Sequence, residues 1–272
     1  MTGTPWIGLF PFQWIALLAA LLTLLVMADA FAGHYRSGFG YRSQYAPFVS
    51  GGLLIIAAVT GCIAPEAAWA NLALSASGWL ATITGVVGLG FHHYYGMAKK
   101  PGGYNWFLHY LMYGAPQLAP LALTATGVLA LITARGLAGQ MSFIGMDVRG
   151  ALFVVVAIAL MGAILQSGIL HYRGAFNNPA MYAPFAAPLL AVFASLWMVL
   201  AASRAASVAL SILLWLTFLT GFVGMGMHLR GFGRQMGGLY VTVFNWLEGP
   251  PAFAPALFAG FAAIGLVTLY LL

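Results

Sequence analysis

The chain has 272 residues, of which 62% are hydrophobic and only 5% charged, against about 25% charged in ordinary soluble domains. Ten basic and four acidic residues cannot cover the surface of a soluble protein of this length, so the core must be bounded by lipid. The net charge of +6 therefore reports topology through the loops rather than an affinity for nucleic acid. The single Cys62 excludes an intramolecular disulfide.

Taken in order, eight apolar stretches of spanning length can be drawn: 12–33, 46–64, 71–92, 115–134, 150–171, 183–203, 206–228 and 251–272. Inside lipid the backbone must satisfy its own hydrogen bonds, so these are helices. Continuous rather than alternating apolarity excludes a barrel. Prolines 47, 116, 184 and 251 are expected in first turns, where a missing N–H costs little. The first stretch has no basic region before it and is long enough to span, so it does not read as a cleavable signal. Between the third and fourth stretches, and again between the seventh and eighth, lies a long loop rich in Tyr, Trp and Phe. Each is expected to lay a short helix on the membrane interface after a Gly-Gly turn, over 105–113 and 239–248.

The chain repeats itself. Thr84-Gly85-x-x-Gly88-x-Gly90-x-His92 recurs as Thr220-Gly221-x-x-Gly224-x-Gly226-x-His228, and His34-Tyr35-Arg36 recurs as His171-Tyr172-Arg173. Counting from Gly103 and Gly238, the downstream residues Gly114, Pro116 and Pro120 match Gly249, Pro251 and Pro255. The upstream match sets His92 against His228 and the downstream one sets His93 there, so one residue was inserted or lost between them. The expected fold is an all-α integral membrane protein of two tandem four-helix repeats, 1–136 and 137–272, with no soluble domain. Four helices per copy is an even number, so the copies share one orientation.

All histidine-bearing ends then lie on one side. The loops there carry Arg36, Arg42, Lys99, Lys100, Arg173, Arg230 and Arg234, against Arg135, Arg149 and Arg204 on the other. This bias places the histidine side in the cytoplasm of a bacterial inner membrane, with both termini outside.

The residues that can carry chemistry are few. His34, His92, His171 and His228 stand at the same ends of odd-numbered spans. A histidine there also suits the negative end of a helix dipole, which explains any one of them better than the recurrence of all four. Gly85 and Gly88, like Gly221 and Gly224, fall seven and four residues before a histidine, on one helical face. Such a strip ending in an imidazole would suit a flat macrocycle with histidine as iron ligand. Small residues at this spacing equally let membrane helices approach closely. Arg36, Arg173 and Arg230 at the rim would suit propionates.

Among the carboxylates, Asp29 lies inside the first span, where an ionised Asp costs up to about 2.5–3.5 kcal/mol, and Gln166 stands at the matching place in the second copy. Glu248 precedes Gly249-Pro250-Pro251, at the mouth of the last span. Asp29, Gln166 and Glu248 are thus candidates for a proton or polar path. No phosphate loop, Ser/His/Asp set or zinc motif occurs, and no motif fixes a reaction. The residues point to a membrane electron-transfer or anchor subunit holding b-type haem, quinone or both, docked to other subunits of a complex. Two other readings use the same residues: a transporter of a small solute along a polar path between the copies, and a structural subunit of a membrane complex.

Overall fold

A computed structural model describes residues 3–272. Its ten helices are α1 (Pro11–Arg36), α2 (Ala46–Ile63), α3 (Ala68–His93), α4 (Phe107–Tyr113), α5 (Pro120–Leu137), α6 (Val148–Arg173), α7 (Ala187–Leu200), α8 (Arg204–Phe232), α9 (Thr242–Glu248) and α10 (Ala254–Leu271). Eight of them, all but α4 and α9, belong to segments long and apolar enough to cross a membrane. A two-stranded hairpin, β1 (Ser142–Phe143) and β2 (Met146–Asp147), joins α5 to α6.

Packing follows from which helices touch. α1, α5, α6 and α10 close a ring, α1 against α5, α5 against α6, α6 against α10 and α10 against α1. The pair α2 and α3 lies outside this ring on one side, and α7 and α8 on the other. The ring holds the largest buried side chains, among them Phe12, Ile15, Leu129, Leu152, Leu160 and Phe261. The outer helices α3 and α8 leave Leu72, Trp79, Ile83, Val208, Ile212 and Trp215 exposed. In water each such side chain would forgo roughly 1.5–3 kcal/mol of burial, so this rim is a lipid-facing surface, as expected of an integral membrane protein.

Helix starts and stops follow local chemistry. Pro11, Pro47, Pro120, Pro188 and Pro255 occupy the first two positions of α1, α2, α5, α7 and α10. Pro116, Pro184 and Pro251 do not. Pro184 falls in a short 3-10 segment, Pro179–Phe185, and α7 starts only at Ala187. Pro116 and Pro251 lie in lead-in segments, so α5 and α10 begin at Pro120 and Ala254, a few residues later than the apolarity implies. α4 and α9 are the two short loop helices, each preceded by a 3-10 turn that a left-handed glycine opens: Gly102 at φ +78° and Gly237 at φ +79°. At the other end of the bundle Asp147 caps α6. Its Oδ2 accepts from Arg149 N at 3.0 Å and Gly150 N at 3.3 Å.

The chain runs differently after His93 than after His228. After His93 the backbone runs through a π turn, Tyr94–Ala98, whereas α8 continues past His228 to Phe232 as α-helix. An extra residue in a helix is absorbed as a π turn at small cost.

Candidate functional site

The structure brings the histidines together in pairs. The rings of His34 on α1 and His92 on α3 lie 6.1 Å apart between centroids, and those of His171 on α6 and His228 on α8 lie 6.4 Å apart. Backbone carbonyls fix three of the four rings. His92 Nδ1 donates to Pro116 O at 2.9 Å, His228 Nδ1 to Pro251 O at 2.8 Å and His171 Nδ1 to Met181 O at 2.8 Å. Here the displaced prolines find their use: they stand in lead-in segments outside the helical ladders, where Pro116 O accepts from Ala119 N at 3.3 Å and from the His92 ring, and Pro251 O from the His228 ring. With Nδ1–H donating, a neutral imidazole presents the lone pair of Nε2. A ligand histidine is commonly oriented by such a bond from its other nitrogen.

Aromatic rings wall each pair. Phe39 lies 6.1 Å and Phe48 6.3 Å from His34, and Phe176 lies 6.2 Å from His171. Phe39 and Phe176 take left-handed backbone at φ +48° and +47°, which bulky residues rarely adopt. Their N–H groups donate to His34 O and His171 O, both at 3.1 Å. The bend that follows α1 and α6 thus turns a phenyl ring back against the imidazole at the end of each. Sequence gives no sign of it, because neither position is a glycine.

The glycine faces require a correction. They are not open strips. A Cβ on Gly85 would sit 2.6 Å from Thr124 N and 2.7 Å from Pro120 O, and one on Gly221 would sit 2.5 Å from Ala259 N and 2.9 Å from Pro255 O. Gly88 and Gly224 face the rings of Pro120 and Pro255. α5 lies against the glycines of α3, and α10 against those of α8, so close approach of helices fills the space a macrocycle would need.

The arginines and polar residues are also engaged, and across the middle of the molecule. Arg36 Nη1 donates to Gly249 O at 3.1 Å. Arg173 donates to Gly114 O at 2.8 Å and, through Nε, to Met112 O. Asp29 Oδ1 accepts from Phe253 N at 3.2 Å, and Gln166 Oε1 accepts from Leu118 N at 3.1 Å. Each half therefore reaches over to cap the last long helix of the other. The carboxylate of Asp29 meets the positive N-terminal end of α10, the position expected of Glu248. Glu248 instead ends α9, six residues before α10 begins. Among the described residues, Arg36 and Arg173 are engaged by carbonyls and Arg230 is not. With Asn178, Met227, Gly231 and Arg234 it lines a pocket of about 160 Å³.

Among the described residues no group of three or more His, Cys, Asp or Glu could hold a metal ion. The site is two separate imidazole pairs, one per half, at the same end of the bundle. No family model, curated protein or solved structure matches the chain.

Proposed function

We propose that the chain is an integral-membrane electron-transfer or anchor subunit in which each imidazole pair ligates one b-type haem iron. The observation that carries the reading is the pairing itself, with Nδ1 of His92, His171 and His228 tied to carbonyls and Nε2 left for a metal. The two imidazoles of each pair, with ring centroids 6.1 and 6.4 Å apart, would supply the protein ligands of one iron. A protein zinc site takes four ligands, and each pair offers two. A porphyrin would bring the remaining nitrogens to an iron, so two imidazoles from the protein would suffice. Phe39, Phe48 and Phe176 supply apolar walls. With the glycine faces filled, the ligands and these rings carry the site without them.

The chain is read as two tandem four-helix copies, 1–136 and 137–272, related by an axis along the membrane normal. The histidine end faces the cytoplasm of a bacterial inner membrane, by the basic bias of its loops. With so little polar surface, the redox chemistry belongs to partner subunits. The test is haem per chain, read from the Soret band of the purified protein. His92→Ala or His34→Ala should remove about half of it, and His92→Ala combined with His228→Ala should remove all. A wild type without haem sinks the reading. For orientation, a cysteine placed at 149 should react with an external reagent and one at 234 should not.

A further inference from the structure

α3 ends on two consecutive histidines with different surroundings. His92 pairs with His34, whereas His93 lines a groove of about 460 Å³ formed by α3, the π turn, α4 and the lead-in to α5. Val86 and Phe107, about half exposed, stand at its mouth on the lipid-facing side, and Met97, 1% exposed, lies deep. Polar atoms stand in this apolar setting. His93 Nε2 lies 3.0 Å from the Tyr104 hydroxyl. Gln117, also lining the groove, is 6% exposed. Its Nε2 donates to His92 O at 3.2 Å and Ala115 O at 3.1 Å, which fixes the orientation of the amide. Its buried Oε1 has no hydrogen-bond partner among the described residues, one of five such side-chain atoms.

The second half folds without any of this. By the offsets of the repeat, His93 stands against Leu229, Tyr104 against Leu239 and Gln117 against Ala252. α8 has no π turn there. The polar set is therefore surplus to the fold and confined to one half, beside one imidazole pair.

We propose that this groove binds the ring of a membrane quinol, with the tail lying out in the lipid. Gln117 Oε1 lacks a hydrogen donor, and a quinol hydroxyl is one. The ester and phosphodiester oxygens of a phospholipid only accept, whereas a headgroup ammonium or hydroxyl can donate, so retained phospholipid is the competing outcome of the test. His93, steadied by Tyr104, offers its Nδ1 to the polar edge of the ring, and Val86, Leu89 and Phe107 pack its apolar faces. The groove begins one residue along α3 from His92, so the inference rests on the electron-transfer reading and supplies it with a lipid-soluble redox partner.

The experiment uses the whole protein in detergent, with a para-quinol carrying a short alkyl tail, and follows retention of the quinol and the shift in melting temperature. Wild type should bind it saturably and should bind its di-O-methyl ether at least tenfold more weakly. Gln117→Ala and His93→Leu, which install the residues of the second half, should each weaken quinol binding at least tenfold and leave the ligand-free melting temperature within a degree or two. The proposal is overturned if the ether binds as well as the quinol, if both variants bind like wild type, or if only phospholipid is retained. Haem is scored separately by the Soret band. Quinol binding to a protein without haem overturns the haem reading alone, and a haem-loaded protein that ignores quinol overturns the groove alone.

Discussion

The two halves are alike where they hold each other and different where one of them carries extra polar atoms. Both have a histidine ring pinned by the carbonyl of a lead-in proline, Pro116 or Pro251. Both seat a glycine face on the next helix, and both send an arginine and a polar side chain across to the other half. The first half alone has the π turn and the His93, Tyr104 and Gln117 set. At Asn178 the second half has its small pocket with Arg230 and Arg234, where the first half has Tyr41 packed on Tyr95, ring centroids 4.9 Å apart. Features present twice hold the frame. Features present once are where a specific chemistry can be added without disturbing it.

The comparison breaks most sharply at the glycine seams. Gly85→Ala and Gly221→Ala should be the most destabilising changes, because the new Cβ would meet backbone at 2.6 and 2.5 Å, and backbone cannot move aside without parting the helices. Overpacking of this kind costs about 1–3 kcal/mol or more. Gly88→Ala and Gly224→Ala meet only a proline Cβ at 3.2 and 3.0 Å and should cost less than about 1 kcal/mol by the same principle. Melting temperatures of the four variants in detergent should fall into two pairs. A split by half instead of by position would mean the seams are not equivalent.

The arginine clasps come next and should not be equal. Arg173 reaches two carbonyls and Arg36 one, and charged hydrogen bonds contribute about 1.5–3 kcal/mol each where partly buried. Arg173→Ala should therefore lower the melting temperature more than Arg36→Ala, which is exposed and screened. An equal or reversed order would remove Met112 O from the clasp.

The smallest effects belong to the crossed caps. Asp29→Ala and Gln166→Ala should each cost about 1 kcal/mol as lost N-terminal caps. Asp29→Asn keeps an acceptor and loses only its charge against the helix dipole, about 0.3–1 kcal/mol. Chemical denaturation of the three variants checks this. An Asn variant as unstable as the Ala one would show that the charge, and not the hydrogen bond, holds the start of α10.

Much of the frame was legible because membrane helices write themselves in apolar length. The eight spans and the two loop helices need only apolarity and a Gly-Gly turn to be found. Partners were not legible. Gly85 and Gly88 read equally as room for a ring and as room for a helix, since both demand the same absence of side chains. Only the position of Thr124 decides between them. Asp29 was visible as costly, but Phe253, whose N–H it takes, lies 224 residues away, and no periodicity encodes such a pairing. Glu248 was assigned the place of Asp29 because nearness in sequence stood in for nearness in space. Gln117 does carry a signal in the sequence: a polar residue set against Ala252 at the same offset that aligns Pro116 with Pro251.

The crossed contacts have the form of a closed two-fold assembly. Residue i of one side meets residue j of the other, and the counterpart of j meets the counterpart of i. Were the β1–β2 connection severed, each piece would keep its imidazole pair but lose the groups that finish its own last helix. Two identical first-half pieces could restore them for one another, with Asp29 of each accepting from Leu118 N–H of its mate and Arg36 of each taking Gly114 O. A gene encoding only residues 1–140 should thus yield a homodimer or nothing folded, and never a stable monomer. In one covalent chain a mutation touches one side alone, whereas in a homodimer it must appear at both sites at once.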